Sequence, residues 1–238
     1  MKDNFYCLAI IPARGGSKRV QGKNIKLLNG NPLISYSIEA ALKVRKIDRV
    51  IVSTDDQYVA DISLELGADV PFIRPTEFAQ DDTPDILVYE HAISWFSQVE
   101  GFIPDIVVWL RPTSPLRKPK DVELSIDLLI ESKADCVRTV CAVQHHPYWM
   151  MKFDDNRLIP FIDGIDIMKD YYQRQLLPPV YRLNGAVDIS RPSIVVSTDS
   201  LYSGVMRGYV MPHDRSIDID SEIDFIIAEA LMKRNLHE

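Results

Sequence analysis

The residues best suited to chemistry form a basic, glycine-rich segment near the start of the chain. It reads Ile11-Pro12-Ala13-Arg14-Gly15-Gly16-Ser17-Lys18-Arg19-Val20-Gln21-Gly22-Lys23-Asn24 and directly follows an apolar stretch, residues 5–11. Glycines let the backbone turn tightly and approach an anion, and the basic side chains surround the same peptide N–H groups. Residues 4–38 include no Asp or Glu but five Lys or Arg, in a chain whose net charge is −7. We therefore interpret the segment as a loop that binds a polyanion.

The same pattern has a simpler interpretation as a solvated turn, and these residues alone leave that alternative open. The spacing matches neither Gly-x-x-x-x-Gly-Lys-Ser/Thr nor Gly-x-Gly-x-x-Gly. It therefore argues against a Walker-type ATPase loop and against an ordinary dinucleotide-binding fold.

A second candidate site is the acidic pair in Ser216-Ile217-Asp218-Ile219-Asp220. In an extended strand, residues two apart point to the same side, so Asp218 and Asp220 at the end of the last strand could present both carboxylates to one Mg²⁺. The pair could equally be solvated surface, or Asp220 could cap the closing helix. His145, His146 and His213 form no convincing metal cluster.

An alternation of strand and helix patterns predicts the elements that position these groups. The predicted strands cover residues 5–11, 49–53, 69–73, 105–110, 185–189 and 205–211. The predicted helices cover residues 33–43, 55–66, 83–98, 119–132 and 221–234. This order predicts an α/β fold with a mainly parallel sheet. Such sheets bind ligands beyond the carboxyl ends of their strands, where the basic loop and residues 111–117 both lie, so we expect one shared site.

Composition limits the class of protein. A chain of 238 residues with 46% apolar content is enough for one domain, residues 1–238, with a well-formed core. No segment has signal-peptide form or membrane-spanning length, so we expect a soluble, cytoplasmic protein with no membrane partner. Cys7, Cys136 and Cys141 show neither disulfide nor metal spacing and are expected to be small buried residues. The acidic balance argues against a nucleic-acid partner.

Four motifs occur in a fixed order along nearly the whole chain: IPARGGSKRVQGKN, WLRPTSPLR, RLNGAVDIS and SIDIDSEIDF. In these motifs the sequence resembles the acylneuraminate cytidylyltransferases, which make CMP-activated sialic-acid-type sugars. The resemblance implies a three-layer, Rossmann-like nucleotidyltransferase fold. It also implies transfer of CMP from CTP to the anomeric 2-hydroxyl of a sialic-acid-like 3-deoxy-2-ulosonic acid, with Mg²⁺ as cofactor and pyrophosphate as the second product.

The resemblance also implies roles for individual residues. The nucleotide is assigned to Ala13, Arg14, Gly15, Ser17, Lys23, Asn24, Arg74, Asp82 and Thr83. The sugar is assigned to Arg111, Thr113, Ser114, Tyr181, Arg182, Asn184 and Gly185. Arg14, Lys23 and Asp218 are assigned to catalysis, and Asp218 and Asp220 to the metal. For Asp82 or Thr83, a plain helix N-cap is an equally good interpretation.

Two departures from the family pattern lie where the sugar is expected. Many members have Gln in Leu-Gln-Pro-Thr-Ser-Pro-Leu-Arg, where this chain has Arg111. Many read Asn-Gly-Ala-Ile-Tyr, where this chain ends the motif with Val187-Asp188. The motifs assigned to the nucleotide show no such departure. The identity of the acceptor acid stays open between N-acetylneuraminate, legionaminate and another 3-deoxy-2-ulosonic acid.

Residues 145–180 break the strand–helix rhythm and are rich in aromatic residues, Met and Pro. The resemblance implies a small projecting dimerisation arm that reaches over the partner's active site, and hence a homodimer. The residues alone allow a hairpin packed on its own core equally well. Assembly with other proteins is a third interpretation of the exposed aromatic residues.

Two other functions stay open at this point. One is a nucleotidyltransferase of the same fold with another nucleotide, such as GTP, or with a sugar phosphate as acceptor, which base selectivity would reveal. The other is a nucleotide- or sugar-binding regulatory protein, which would bind nucleotide without releasing pyrophosphate.

Overall fold

A six-stranded, mainly parallel sheet forms the centre of the fold in a computed structural model that describes residues 5–235. The strands are β1 (Cys7–Pro12), β2 (Leu27–Leu28), β3 (Asn31–Pro32), β4 (Arg49–Ser53), β5 (Ile106–Trp109), β6 (Cys136–Ala142), β7 (Met151–Asp154), β8 (Arg157–Pro160), β9 (Tyr181–Ser190) and β10 (Met206–Val210). The helices are α1 (Leu33–Leu42), α2 (Gln57–Glu65), α3 (Asp85–Trp95), α4 (Pro119–Ser132), α5 (Ile167–Asp170), α6 (Pro192–Thr198) and α7 (Glu222–Asn235). The predicted α/β class with a mainly parallel sheet is confirmed.

The order of strands in the sheet places the candidate site. The order is β10-β6-β9-β5-β1-β4, and β9 is antiparallel to both of its neighbours while the other pairs are parallel. The chain passes from β1 to β4 on one side and later to β5 on the other. Strand order therefore reverses between β1 and β5, and the loops that follow these two strands open a crevice there.

Burial on both faces of β1 produces three layers. Ala9 and Ile11 belong to a core cluster with α1 and α4, whereas Leu8 and Ile10 belong to a second cluster with α3. Because side chains alternate along a strand, an uninterrupted apolar run can fill both clusters. The basic loop therefore starts from a strand that is buried on both faces from Cys7 to Ile11.

The predicted strand over residues 69–73 is wrong. Only isolated bridges form there, from Asp69 to Ile51 and from Ile73 to Thr54. Pro71 lies between them and has no N–H to donate to a ladder, so the segment runs beside β4 without becoming a strand. In addition, β6 and α6 were not predicted as elements, and β9 is longer than the predicted strand 185–189.

Residues 145–180 form a small unit apart from the central sheet. β7 and β8 pair as an antiparallel hairpin, followed by the short helix α5. Large apolar side chains are exposed here, including Phe153 at 77% and Met168 at 82%. The core clusters of the described residues contain no member of this segment, so the packed-hairpin interpretation gains no support from them.

Two further expectations concern the whole chain. Cys7, Cys136 and Cys141 are buried, as predicted. Within residues 5–235, no helix has the length and apolar character needed to cross a bilayer.

Candidate functional site

A cavity of about 540 Å³ opens at the carboxyl ends of β1 and β5. It brings together predicted residues from five separate segments of the chain. Those that line it are Arg14, Ser17, Lys23, Asn24, Arg74, Thr83, Arg111, Thr113 and Asp220. The shared site expected from the sequence therefore has a physical counterpart in the structure.

The basic loop is held in shape by its own contacts and by the start of α2. The N–H of Gly15 donates to Asp55 Oδ1 at 3.0 Å, and Asn24 Nδ2 donates to the carbonyl of Arg14 at 2.9 Å. A Cβ on Gly15 would lie 2.4 Å from Asp56 Oδ2, so only glycine fits at that position. Ala13 is buried, and its N–H donates to the carbonyl of Ser53. The loop is thus preformed, with its basic side chains on the cavity.

Lys23 joins the loop to the acidic pair. Its Nζ donates to the carbonyl of Ile219 at 2.8 Å and lies 3.4 Å from Asp220 Oδ1. The side chain of Lys23 is only 15% exposed, so this contact is held within the protein. Lys23 and the Asp220 carboxylate, which are nearly 200 residues apart in sequence, therefore meet at one edge of the cavity.

Asp81 is a site residue that sequence reasoning missed. Its carboxylate contacts Arg14 Nη2 at 2.7 Å and Lys18 Nζ on its other oxygen. The hydrogen bond from Lys18 is the main reason that the pKa of Asp81 is lowered, and Arg14 adds to it. The only signal in the sequence was its position directly before the predicted pair Asp82 and Thr83.

The helix-capping interpretation of Asp82 or Thr83 is wrong for α3. The residue at the N-cap of α3 is Pro84, and no side chain caps the helix. The hydroxyl of Thr83 instead accepts from the N–H of Gln80 at 3.0 Å, which closes a turn. Thr83 lines the cavity, whereas Asp82 is exposed and does not.

Arg74 presents a buried cation to the cavity. It is 4% exposed, its Nη2 is 3.8 Å from Asp55 Oδ1, and its Nε has no hydrogen-bond partner. Burial lowers the pKa of this guanidinium. A buried donor without a partner is costly, which favours a role in binding an acceptor group of a ligand.

The acidic pair lies outside any strand, so its predicted position at the end of the last strand is wrong. Pro212 follows β10, and the N–H of Ile219 donates to the carbonyl of Thr113 at 2.8 Å instead of to a ladder. Neighbouring atoms crowd the Asp218 carboxyl although the residue keeps solvent access, and this burial raises its pKa. The Asp220 charge raises that pKa further, whereas a hydrogen bond from Thr113 opposes the rise.

The donor set of the acidic pair fits a magnesium ion completed by a substrate. Asp218 and Asp220 are near enough for their charges to interact. Among residues 5–235 no three His, Cys, Asp or Glu side chains are grouped to hold a metal by themselves. Mg²⁺ commonly takes one or two carboxylates and fills its other positions with phosphate oxygens and water, so two carboxylates suffice.

The residues predicted to bind the sugar are divided between the cavity and the interior. Arg111 and Thr113 line the cavity, but Asn184 is 2% exposed and binds Thr139 and Ser216. Arg182 donates to the carbonyl of Ser216 at 2.8 Å. Because Ser216 lies two residues before Asp218, these contacts support the acidic segment.

The other predicted sugar residues lie around this core. Ser114 is buried, and its hydroxyl has no partner. Gly185 has φ +65°, and a Cβ there would lie 3.8 Å from Arg111 Nη1. Tyr181 lines a separate cavity of about 160 Å³ at the base of residues 145–180.

Arg111 is paired with two carboxylates that sequence reasoning did not connect with it. Its Nη1 donates to Asp188 Oδ2 and its Nη2 donates to Asp85 Oδ2, both at 2.5 Å. Burial would raise the pKa of Asp188, but Arg111 and Arg138 outweigh it and hold that pKa below its usual value. Asp188 was visible in the sequence only as a departure from a motif.

Comparison with known proteins finds cytidylyltransferases and CMP-sugar synthases similar to this chain. A family model for cytidylyltransferases matches residues 8–190. The CMP-N,N'-diacetyllegionaminic acid synthase of Legionella pneumophila is 34% identical over 230 residues, which cover 96% of this chain and 97% of that protein. The N-acylneuraminate cytidylyltransferase of Escherichia coli O18:K1:H7 is 32% identical over 228 residues, or 95% of this chain and 52% of that protein.

Among solved structures, a CMP:2-keto-3-deoxy-manno-octonic acid synthetase complexed with CTP superposes with a TM-score of 0.70. The identity is 18%, and the match covers 97% of this chain and 99% of that chain. At this identity the likeness is evidence for the fold alone.

Proposed function

The chain belongs to the cytidylyltransferase family, and we propose that it transfers CMP from CTP to the anomeric 2-hydroxyl of a sialic-acid-like 3-deoxy-2-ulosonic acid. The observation that carries this proposal is the single cavity in which the basic loop, Arg74 and Asp220 converge, with Asp218 close enough to Asp220 for their charges to interact. Such a cavity suits a nucleoside triphosphate, because cations can meet its phosphates and carboxylates can meet its metal. The acceptor class is inferred from the relatives, which are named for legionaminic acid and N-acylneuraminate.

The reaction is an in-line displacement at the α-phosphorus. The 2-hydroxyl oxygen gives up its proton to solvent water and bonds to that phosphorus, while the bond from the α-phosphorus to the oxygen bridging the β-phosphate breaks. Pyrophosphate leaves with the electron pair of the broken bond. The protein contributes mainly positioning and charge stabilisation, as in phosphoryl transfer generally.

Arg14 and Lys23 are the residues that stabilise the leaving pyrophosphate. Lys23 is fixed by the carbonyl of Ile219, so its charge is already oriented when the nucleotide binds. Arg14 is held by Asp81 and has to exchange that carboxylate for phosphate oxygens. Ser17, Asn24, Arg74 and Thr83 are proposed to complete the nucleotide contacts, since all four line the cavity.

Ala13, Gly15 and Asp82 are weaker candidates for direct contact. The N–H groups of Ala13 and Gly15 already donate to the carbonyl of Ser53 and the carboxylate of Asp55. Asp82 does not line the cavity. We propose that Ala13 and Gly15 act by shaping the loop.

Asp218 and Asp220 are proposed to hold Mg²⁺. When bound, the ion would neutralise charge on the phosphate oxygens. Lys23 keeps Asp220 at the cavity, and Thr113 keeps the Asp218 carboxyl oriented by a hydrogen bond. These protein contacts preorganise the two carboxylates before the substrate enters.

The acceptor is proposed to bind near Arg111 and Thr113, at the end of the cavity that β5 and α3 border. Five further residues are proposed to contribute to acceptor binding at this end: Ser114, Tyr181, Arg182, Asn184 and Gly185. Arg182 and Asn184 both hydrogen-bond to Ser216 and thereby support the acidic segment. The acid is a nonulosonic acid of the class named for the relatives, and its C5, C7 and C8 substituents are left to experiment.

We also propose that the protein is a homodimer joined through residues 145–180. The support is the concentration of exposed apolar side chains in this segment, including Phe153, Phe161 and Met168. Exposed apolar patches on this scale are typical of interfaces.

Pyrophosphate release tests the proposed function. Each of the four NTPs is supplied with Mg²⁺ and with N-acetylneuraminate, legionaminate, pseudaminate or 3-deoxy-octulosonate. We expect release with CTP and one of these acids. Release with another nucleotide would indicate a different nucleotidyltransferase, and CTP binding without release would indicate a binding protein.

Two variants test the roles within the reaction. Arg14→Ala and Asp218→Asn are each expected to lower kcat/KM by about 10²–10³-fold, the usual loss for one charge-stabilising group. The melting temperature should stay near that of the unmodified chain, because both side chains keep solvent access. Arg45→Ala, an exposed cation outside the cavity, is the matched control. A variant that keeps near-normal turnover would remove that residue from the mechanism.

A further inference from the structure

A cluster of paired charges, centred on the buried Asp188, lies behind the acceptor end of the cavity. Asp188, on β9, is 3% exposed and accepts from Arg111 Nη1 at 2.5 Å, Arg138 Nε at 3.0 Å and the hydroxyl of Tyr202 at 3.1 Å. Asp85, at the start of α3, accepts from Arg111 Nη2 at 2.5 Å. The Arg138 guanidinium lies 3.6 Å from the centroid of the Tyr202 ring. Only Arg111 and Asp85 of these five residues line the cavity.

The ion pairs of the cluster are balanced, with two arginines facing two aspartates. Charges removed from water are tolerated only when they are paired and hydrogen-bonded. If Arg111 turned toward an incoming anion, Asp188 would keep only Arg138 and Tyr202 as partners in a buried site. The Arg111 guanidinium is therefore fixed in place.

The hydrogen bonds that Arg111 already makes determine how many N–H donors it has left for a ligand in the cavity. Its Nη2 donates hydrogen bonds to Asp85 and to the Tyr202 hydroxyl, the latter at 3.2 Å, and its Nη1 donates to Asp188. A guanidinium has five N–H groups in a rigid fork. With three of them used, Arg111 can offer at most two oriented donors to the cavity, and its charge is compensated.

The two departures from the family motifs are in direct contact. Arg111 and Asp188 are 77 positions apart in sequence and touch through one short ion pair. A cation at position 111 alone would make this end of the cavity more positive, and the anion at position 188 cancels that change. The two residues therefore work as one unit.

We propose that Asp188 is a positioning residue for the acceptor: together with Asp85 it fixes Arg111 as a charge-compensated donor that binds uncharged oxygens of the sugar, hydroxyl or amide carbonyl, and not its carboxylate. This inference rests on the proposed function, because it places the acceptor acid against Arg111. It deepens that function by naming the residues that select the acid.

Kinetics of three single variants and one double variant test the inference. Asp188→Asn is expected to raise KM for the accepted acid about tenfold, a usual size for coupled neighbours, with KM for CTP changed less than twofold. Arg111→Gln should raise the acid KM similarly, and the double variant should be no worse than Arg111→Gln alone. Tyr202→Phe removes one hydroxyl and keeps the ring under Arg138, so it should fold and raise the acid KM about two- to threefold.

A carboxylate-free probe distinguishes the two kinds of recognition. The methyl ester of the acid, measured as an inhibitor, should lose affinity in Arg111→Gln by the same factor as the free acid. If only the free acid loses affinity, Arg111 binds the carboxylate and the inference is wrong. Asp127→Asn, which breaks the partly buried pair with Lys46 at the opposite end of the strands, controls for general loss of stability.

Failure of the inference and failure of the proposed function are distinguishable. Acid and ester binding are measured by thermal shift in the presence of CDP, independently of turnover. Turnover in the unmodified chain with unchanged acid KM in Asp188→Asn and Tyr202→Phe overturns the inference alone. If the unmodified chain binds no acid and releases no pyrophosphate, the acceptor class and the inference fall together.

Discussion

At the scale of single residues, Asp81 is paired with cations of the loop that we propose to bind the triphosphate. Its two carboxylate oxygens contact Arg14 and Lys18, which belong to the loop assigned to the phosphates. Bound phosphates would have to displace Asp81 and would also be repelled by its charge. Asp81 should therefore weaken nucleotide binding.

We expect Asp81→Asn to bind CTP about three- to tenfold more tightly. Exposed ion pairs contribute only about 0–1 kcal/mol each, and Asp81 makes two of them and also repels the ligand. Calorimetry without Mg²⁺ measures the effect directly. Asp82→Asn removes the neighbouring exposed charge and is the matched control, with no comparable gain expected. Weaker CTP binding in Asp81→Asn would instead mean that Asp81 orients the loop for the ligand.

At the scale of elements, the basic loop and α2 are fitted to each other at Gly15. Asp56 is the N-cap of α2 and accepts from the N–H groups of Tyr58 and Val59. A Cβ on Gly15 would lie 2.7 Å from the Cβ of Asp56, so the conflict involves more than a flexible tip. The loop and the cap have to move together.

Gly15→Ala is expected to destabilise the protein by about 1–2 kcal/mol, the usual cost of a lost helix cap, and to lower activity through the displaced loop. Gly16→Ala is the matched control, because a Cβ there meets nothing within 4 Å. Thermal unfolding and kcat/KM for CTP are measured for both. Equal effects from the two substitutions would contradict the packing argument.

The strands of the sheet differ in how far the sequence could predict them. β1 and β4 are continuous apolar runs and were predicted. β6 is interrupted by Arg138 and Thr139, which face Asp188 and Asn184 and so hide the apolar pattern. α6 is rich in β-branched residues, which favour strands, and its helix is fixed by the burial of Val195.

In the candidate site, likewise, features formed by neighbouring residues could be predicted and contacts between distant segments could not. The basic loop could be predicted because its glycines and cations are adjacent in sequence. The ion pairs of Asp81 and Asp188 could not, because each joins segments that only the fold brings together. Periodicity does not encode such pairings.

A pH effect is expected from the packing of α3. His91 is half-buried between Phe72 and Phe78, with ring centroids at 4.7 and 5.5 Å. Burial lowers the pKa of His91, Arg74 lowers it further, and Glu77 opposes the change. The unfolded chain therefore binds this proton more readily, near the ordinary pKa of about 6.5.

The direction of the pH effect follows from the lower pKa of His91 in the folded chain than in the unfolded chain. Above the unfolded pKa the proton has no effect on stability, and below it stability falls as pH falls. We expect the melting temperature to fall between pH 7.5 and 5.5, and the fall to be smaller in His91→Phe, which keeps an aromatic ring. His145→Phe, at an exposed position, should leave the pH profile unchanged. An identical profile in His91→Phe would show that other groups set the acid sensitivity.

At the scale of the whole molecule, the two ends of the chain close the cavity together. Lys23 holds Ile219 and Asp220, and Lys26 contacts Glu222 at 2.5 Å at the start of α7. The cations and carboxylates that we propose for catalysis thus come from segments near opposite ends of the sequence. The cavity is complete only when the last segment has docked.

The arm of residues 145–180 leads to a prediction about assembly. Phe153 and Met168 are among its most exposed apolar side chains, and burying each contributes about 1.5–3 kcal/mol. We expect a dimer of the unmodified chain, and at least a tenfold weaker dimer in Phe153→Asp or Met168→Asp. Sedimentation across a concentration series measures both.

Ile223 of α7 provides the matched control for the arm, since it is an apolar side chain 65% exposed outside that segment. If Ile223→Asp dissociates the dimer and the arm variants do not, the interface lies on α7. A monomeric unmodified chain would contradict the arm's proposed role altogether. If kcat falls in step with dissociation of the arm variants, the arm also supports catalysis in the partner, because each cavity within its own chain is unchanged by these exposed substitutions.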